Sequence, residues 1–233
     1  YNCLLNFKGS FPGTAHRFFW YHEYFAFIKS EYDLLDINYG KNKTKTFLLP
    51  IAQPKDHRIF LLDSLGERLD NSLYSNVYKG KLLPGETHLA GKDWQRYVNI
   101  EWIEDTFYTI VTESEVYPYL TKNNFIKRYD NFVTEKTYKC FAFKHPFICF
   151  GTPHTQKYIK EQLGFEIFDN IFDFGFDDIE GNEITLESTT TEKRIEMIVE
   201  TLDNINYDEF YSAETQQKLE YNYHRFYNKD LVY

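Results

Sequence analysis

Pro146-Phe147-Ile148-Cys149-Phe150-Gly151 is the stretch that decides the fold. It is an unbroken apolar run that stops at a glycine. A strand with one wet face alternates apolar and polar residues. A strand of a parallel sheet is covered by helices on both faces and reads as a continuous apolar run. Residues 146–150 are therefore expected to form a strand of a parallel sheet. The flanks agree. Thr134–Phe143 reads as a helix with Thr134 as its N-cap. His154–Leu163 reads as the next helix, with Gly164 where a left-handed C-terminal cap belongs. Phe165–Phe168 would be the following strand, and two helices, about Glu192–Leu202 and Asp208–Tyr227, close the chain.

Upstream the alternation continues. Thr106–Thr112 (TFYTIVT) is rich in β-branched and aromatic residues and reads as a strand. Thr46–Ile51 (TFLLPI) reads as another, with Pro50 near its end. Asp56–Leu69 has apolar residues at 59, 61, 62, 65 and 69, a helical spacing that Asp56 would cap. Residues 79–96 carry Gly80, Pro84, Gly85 and Gly91 and read as a long loop. Nearer the start, Tyr1–Phe7 reads as a strand, His16–Lys29 as a largely buried helix and Tyr32–Ile37 as a strand; Lys41–Lys45 is a basic connector read as a solvated linker. This alternation predicts an α/β fold with an open parallel sheet. Ligands of such sheets sit at the carboxyl ends of the strands.

Composition excludes several classes. Phe, Tyr and Trp make up 19% of 233 residues, so the chain is not of the disordered kind. With 11 Gly and 7 Pro it is neither collagen-like nor a linker. A net charge of −9 argues against nucleic acid binding through overall charge. No apolar run approaches the ~18 residues of a membrane span. The first residues lack the basic and long apolar regions of a signal peptide. The chain does not start with Met, so a missing or processed N-terminus is expected. Cys3, Cys140 and Cys149 show no CxxC spacing and are read as buried, reduced thiols in a cytosolic setting. The aromatic stripe Phe18-Phe19-Trp20-Tyr21 is read as core or interface, and Tyr221, Tyr223, Phe226 and Tyr227 as the docking face of the last helix.

Chemistry concentrates in Val111-Thr112-Glu113-Ser114 and in Phe132-Val133-Thr134-Glu135-Lys136-Thr137-Tyr138-Lys139. A strand end is followed, after a loop, by a helix start carrying Thr, Glu and Lys. A helix N-terminus presents free backbone N–H groups and the positive end of its dipole. Lys136 and Lys139 add full charges, which suits a phosphate or diphosphate. Glu135 suits the hydroxyls of a ribose or sugar. The competing reading is plain: Thr134 caps a helix, Glu135 favours its dipole and Lys136 is solvated.

These residues resemble the donor-binding signature of the α1,3-fucosyltransferases, which runs E-N-S, a spacer, Y/F-V-T-E-K, a helix, and an apolar strand with Pro and Gly. They are also similar to phage and giant-virus proteins described as glycosyltransferases, which share a T-E-K-T helix, an H-P-F-I strand and an L-G-F segment. Here those are Thr134–Thr137, His145–Ile148 and Leu163–Phe165. Upstream, Phe47-Leu48-Leu49, Asp56-His57-Arg58 and Leu61–Leu65 resemble the strand–Arg–helix unit of the same families. The resemblance covers about residues 46–180.

The resemblance implies a GT-B-like fold. It would comprise a reduced, acceptor-side α/β segment over 1–45 and a Rossmann-like nucleotide-sugar domain over 46–233 with closing helices. It implies that Arg58 pairs with the donor diphosphate, where a guanidinium engages two oxygens at once. Lys136 would neutralise the leaving phosphate, Glu135 would bind hydroxyls, and Glu113, Ser114, Thr134 and Lys139 would line the donor. The Asn between Glu and Ser is absent, and Phe132 replaces a family Tyr. The implied reaction is metal-independent transfer from a nucleotide-diphosphate sugar to a glycan or other hydroxyl acceptor, with no cofactor required. Its base would come from the N-terminal half, with Glu23, Asp33 and Asp36 as candidates and His16 behind them. Asp173–Asp178 is read as a turn near the donor rather than a metal site.

About 45 residues precede the Thr46 strand, too few for a full Rossmann domain. Minimal acceptor recognition, a missing N-terminal part and lost catalysis all remain open. The leading expectation is a glycosyltransferase of the cytoplasm, or of the host cytoplasm if viral, with no membrane span. The alternatives are a non-catalytic glycosyltransferase-like module, for instance in a virus particle, and a glycosyltransferase acting on modified DNA bases, which the charge of −9 disfavours.

Overall fold

The structure, a computed structural model, describes residues 43–84, 98–114, 116, 119–120, 127–128, 131, 133–178 and 187–228. Along them come β1 (Lys45–Leu49), α1 (Asp56–Leu65), β2 (Leu73–Tyr74), α2 (Ile100–Asp105), β3 (Thr106–Thr112), β4 (Tyr119–Leu120), β5 (Lys127–Arg128), α3 (Glu135–Ala142), β6 (Phe147–Phe150), α4 (Thr155–Glu161), α5 (Glu187–Asp203) and α6 (Ala213–Tyr227). Four strands form one parallel sheet in the order β2-β1-β3-β6, and β4 and β5 form a separate antiparallel pair. The fold is α/β with a parallel sheet, consistent with a Rossmann-like arrangement.

The strand order reverses between β1 and β3. From β1 the chain steps outward one way to β2, and from β3 it steps the other way to β6. Loops leaving neighbouring strands in opposite directions leave a crevice at their carboxyl ends.

β6 is buried at all four positions, as its apolar run demands. On α3, Phe141 stacks on Phe165 at 3.8 Å and meets Phe147 edge-on at 5.3 Å. The turn from α3 into β6 is held by His145. Thr109 Oγ1 donates to His145 Nδ1 at 2.8 Å, and His145 Nε2 donates to the Thr106 carbonyl at 2.9 Å. Burial, and the charge of Lys43, push this imidazole down to about 3.

Thr134 caps α3 as expected, accepting from the Lys136 N–H. Other elements differ. Phe165–Phe168 is not a strand. Its backbone is bonded by a side chain instead: Asn222 of α6 accepts from the Glu166 N–H at 2.7 Å and donates to the Glu166 carbonyl at 2.9 Å, as a neighbouring strand would. The helix from Asp56 stops at Leu65, because Gly66 takes φ 51° and ψ −128°, and continues only as a 3-10 turn over Gly66–Leu69. Asp56 does not cap it; Lys55 holds the N-cap position without a side-chain capping bond to the helix. α2 arises where no helix is expected, capped by Asn99, whose side chain accepts from the Glu101 N–H at 2.9 Å. The helix expected from Asp208 begins as a 3-10 turn over Tyr207–Tyr211, and α6 follows with Ser212 as its cap.

Gly164 is left-handed at φ 69°, and a Cβ there would lie 2.5 Å from Arg225 Nη2. That guanidinium donates to the Leu163 carbonyl through Nε at 2.9 Å and Nη2 at 2.8 Å, fastening α6 to the end of the α4 segment. No helix among the described residues is long and apolar enough to cross a membrane. The elements expected over 1–7, 16–29 and 32–37 lie outside the described residues, as does most of the 79–96 loop.

Candidate functional site

The candidate site lies at the carboxyl ends of β1 and β3, where the strand order reverses and open α/β sheets take their ligands. β1 pairs with β3 through Leu48 and Thr109, and β3 then runs on past it. Its last carbonyls would be left open on that side. The start of α1 closes them. Arg58 Nη2 donates to the Thr112 carbonyl at 3.0 Å and the Glu113 carbonyl at 3.3 Å. His57 Nε2 donates to the same Glu113 carbonyl at 3.1 Å. Lys55 Nζ reaches the Ser114 carbonyl. Arg58 also donates to the Gln53 carbonyl at 3.2 Å and is only 5% exposed. Burial, with the charge of Arg58 beside it, pushes His57 down to about 4, so it is neutral at pH 7.

Glu113 forms the floor and is fully buried. One oxygen accepts from the Thr134 N–H and the Thr137 hydroxyl, both at 2.8 Å. The other accepts from the Thr134 hydroxyl at 2.7 Å and lies 3.5 Å from Lys136 Nζ. Lys136 Nζ also donates to Thr134 Oγ1 at 3.0 Å and pairs with Glu135 at 3.5 Å. The Thr134 hydroxyl thus gives one bond and receives from both the Lys136 N–H and its ammonium, its full capacity. An anion is favoured at a helix N-terminus. At α3 the chain's own Glu113 carboxylate takes that place.

The third wall follows β6. A Cβ on Gly151 would lie 2.7 Å from Thr155 Oγ1, so only glycine lets the first turn of α4 close this tightly. Thr152 Oγ1 donates to Asn131 at 2.9 Å. Asp177 accepts from the Gln156 N–H at 2.8 Å and the Lys157 N–H at 3.4 Å. Burial raises its carboxyl to about 6 despite Arg194 3.9 Å away. Asp173 accepts from the Gly175 N–H at 2.9 Å. These acids hold a turn, as expected. Among the described residues no three His, Cys, Asp or Glu are grouped to hold a metal ion.

The structure links four of the sequence-derived residues in one chain of bonds: Arg58 to the Glu113 backbone, and the Glu113 side chain to Thr134 and Lys136. Glu135 joins through Lys136. Ser114 joins through its carbonyl, which Lys55 holds. Lys139 lies one turn further on; burial brings it to about 8, with Glu135 pulling the other way. Glu23, His16, Asp33 and Asp36 lie outside the described residues, as does Phe132. Cys140 and Cys149 are buried, and burial pushes the Cys140 thiol up to about 12 and Cys149 well above its ordinary value, which makes both inert at neutral pH.

Lys55 and Arg194 are groups at the candidate site that the sequence reading does not single out; His57 enters it only within Asp56-His57-Arg58, and Asp177 only within the Asp173–Asp178 turn. A signal for Arg194 exists. It shares a helical stripe with Thr191, Ile198 and Thr201, all core-facing or nearly so, and a charge in that phase is a buried charge.

No protein-family model, no curated protein and no solved structure matches this chain.

Proposed function

We propose that the crevice binds a nucleoside diphosphate, and that the protein is a metal-independent glycosyltransferase using a nucleotide-diphosphate sugar. The described sheet would be the donor half of a GT-B-like enzyme. The observation that carries this reading is convergence. Residues from the start of α1, the end of β3 and the start of α3 meet at the point where the strand order reverses, the place where open α/β sheets take ligands. Lys55, Arg58, Lys136 and Lys139 bring more positive charge there than Glu113 and Glu135 offset, within a chain of net charge −9. A small anion matches that distribution. The acceptor would be a glycan or other hydroxyl compound.

A second reading has its own support. Arg58 is bonded to backbone carbonyls, and Glu113 occupies the end of α3 where a phosphate would otherwise sit. A glycosyltransferase-like module without turnover suits this self-satisfied arrangement.

The test is calorimetric titration with GDP, UDP and ADP, followed by release of nucleoside diphosphate from the matching nucleotide sugar. At least one nucleotide is expected to bind, with Lys136→Ala weakening it about tenfold or more. Binding without release of nucleotide selects the second reading. No binding by any of the three removes the donor site altogether.

A further inference from the structure

Arg194 is a buried cation that donor binding leaves without a task. It is 1% exposed, although a leucine would suit the same stripe of α5. Removing a guanidinium from water is costly unless its geometry is used. Three segments use it. Nε donates to the Phe176 carbonyl at 3.0 Å, and Nη1 donates to the Val116 carbonyl at 3.5 Å. The guanidinium lies over the Phe150 ring, 5.0 Å from its centre. Val116 is on the segment leaving β3, Phe176 is in the turn that caps α4, and Phe150 ends β6.

All three lie at the carboxyl end of the sheet. One side chain from α5 therefore spans the loop after β3 and the turn over β6. The fastening is incomplete. Among the described residues Nη2 has no hydrogen-bond partner, and neither does Asp177 Oδ1, 3.9 Å away. Gln156, whose N–H bonds the same carboxylate, has a buried Oε1 in the same condition.

We propose that Arg194, with Asp177 as its counter-ion, is a positioning residue that fixes the two walls of the sheet-end crevice from behind. Ligand affinity then depends on Arg194 without its touching the ligand. That dependence rests on the nucleotide reading given above; the fixing of the walls does not.

Two measurements on the full chain separate these statements. The first is hydrogen exchange at the Gln156 and Lys157 amides, which bond Asp177, against Ile110 and Ile148 in the sheet. The second is affinity for GDP, UDP and ADP. Arg194→Met is expected to speed exchange at Gln156 and Lys157 about tenfold or more and leave Ile110 and Ile148 unchanged. It is also expected to weaken the nucleotide that the wild type binds by about tenfold, with Arg194→Lys recovering part of both losses. Because Arg194→Met strands a buried carboxylate, the double variant Arg194→Met/Asp177→Asn, which buries no charge, is measured beside it. In that variant the Gln156 and Lys157 amides, which both lose the Asp177 carboxylate, are expected to open, again with the sheet unchanged. Exchange at these amides equal to wild type in both variants overturns the proposal, and so does a uniform rise that includes the sheet. If the walls loosen but the wild type binds no nucleotide, the donor reading fails and the positioning role stands. If the wild type binds and both variants bind equally well, the positioning role fails.

Discussion

Thr134 gives Glu113 two hydrogen bonds, one from its backbone N–H at 2.8 Å and one from its hydroxyl at 2.7 Å. With Thr137 and Lys136 added, a single buried carboxylate joins β3 to α3. Glu113→Ala leaves these donors buried and unmet, and is expected to cost about 3 kcal/mol or more. Glu113→Gln keeps one acceptor oxygen and the shape, and is expected to cost about 1–2 kcal/mol. Urea unfolding at pH 7 measures both. A Glu113→Ala loss below that of Glu113→Gln would show that the carboxylate is not the join.

Acid weakens the protein through its buried histidines. His145 titrates at about 3 and His57 at about 4 in the fold, against 6.5 for the free side chain. Between those values the unfolded chain takes up protons that the folded chain refuses, so stability is full above about pH 6.5 and falls with pH. From pH 7 to pH 4.5 each histidine is expected to remove roughly 3 kcal/mol. His145→Gln is less stable at pH 7, having lost the bonds to Thr106 and Thr109, but its loss on acidification is expected to be smaller by about the share that His145 contributes. Denaturant midpoints at the two pH values decide this, and equal steepness counts against a neutral buried His145.

Gly164→Ala meets two obstacles at once, a left-handed backbone and the Arg225 guanidinium. The first alone costs about 1 kcal/mol. A total of about 2–3 kcal/mol is expected, because Arg225 must also leave the Leu163 carbonyl. In an Arg225→Ala background the same substitution is expected to cost only the backbone part. Thermal midpoints of the four proteins give the coupling, and strict additivity would mean that the clash is absent.

What the sequence reveals depends on how local the cause is. The continuous run of β6, the Thr134 cap and the turn at Gly164 are each set by neighbours along the chain, and each is found where the pattern puts it. Phe165–Phe168 has a strand's composition but not a strand's neighbour. Its partner is one asparagine, Asn222, far along the chain, and no window of sequence contains both. Glu113 is legible as a candidate site residue because it follows a strand end ahead of a Thr-Glu-Lys helix. Its partner is not legible, since turning toward α3 is a matter of three-dimensional approach. Arg194 has a periodic signal, yet the loops that it spans come together only in the fold.

The Asn222 contact also bears on how the protein behaves in a crowd. Among the described residues β6 is the last strand on its side of the sheet. Its outward Cys149 carbonyl receives the Gln156 side-chain amide at 2.9 Å, and Asn222 holds the nearby Glu166 backbone. An uncovered strand of this apolarity would be a template for another chain, the usual start of ordered aggregation. Two amide side chains act here as terminators that use up strand-pairing groups without offering the next rung.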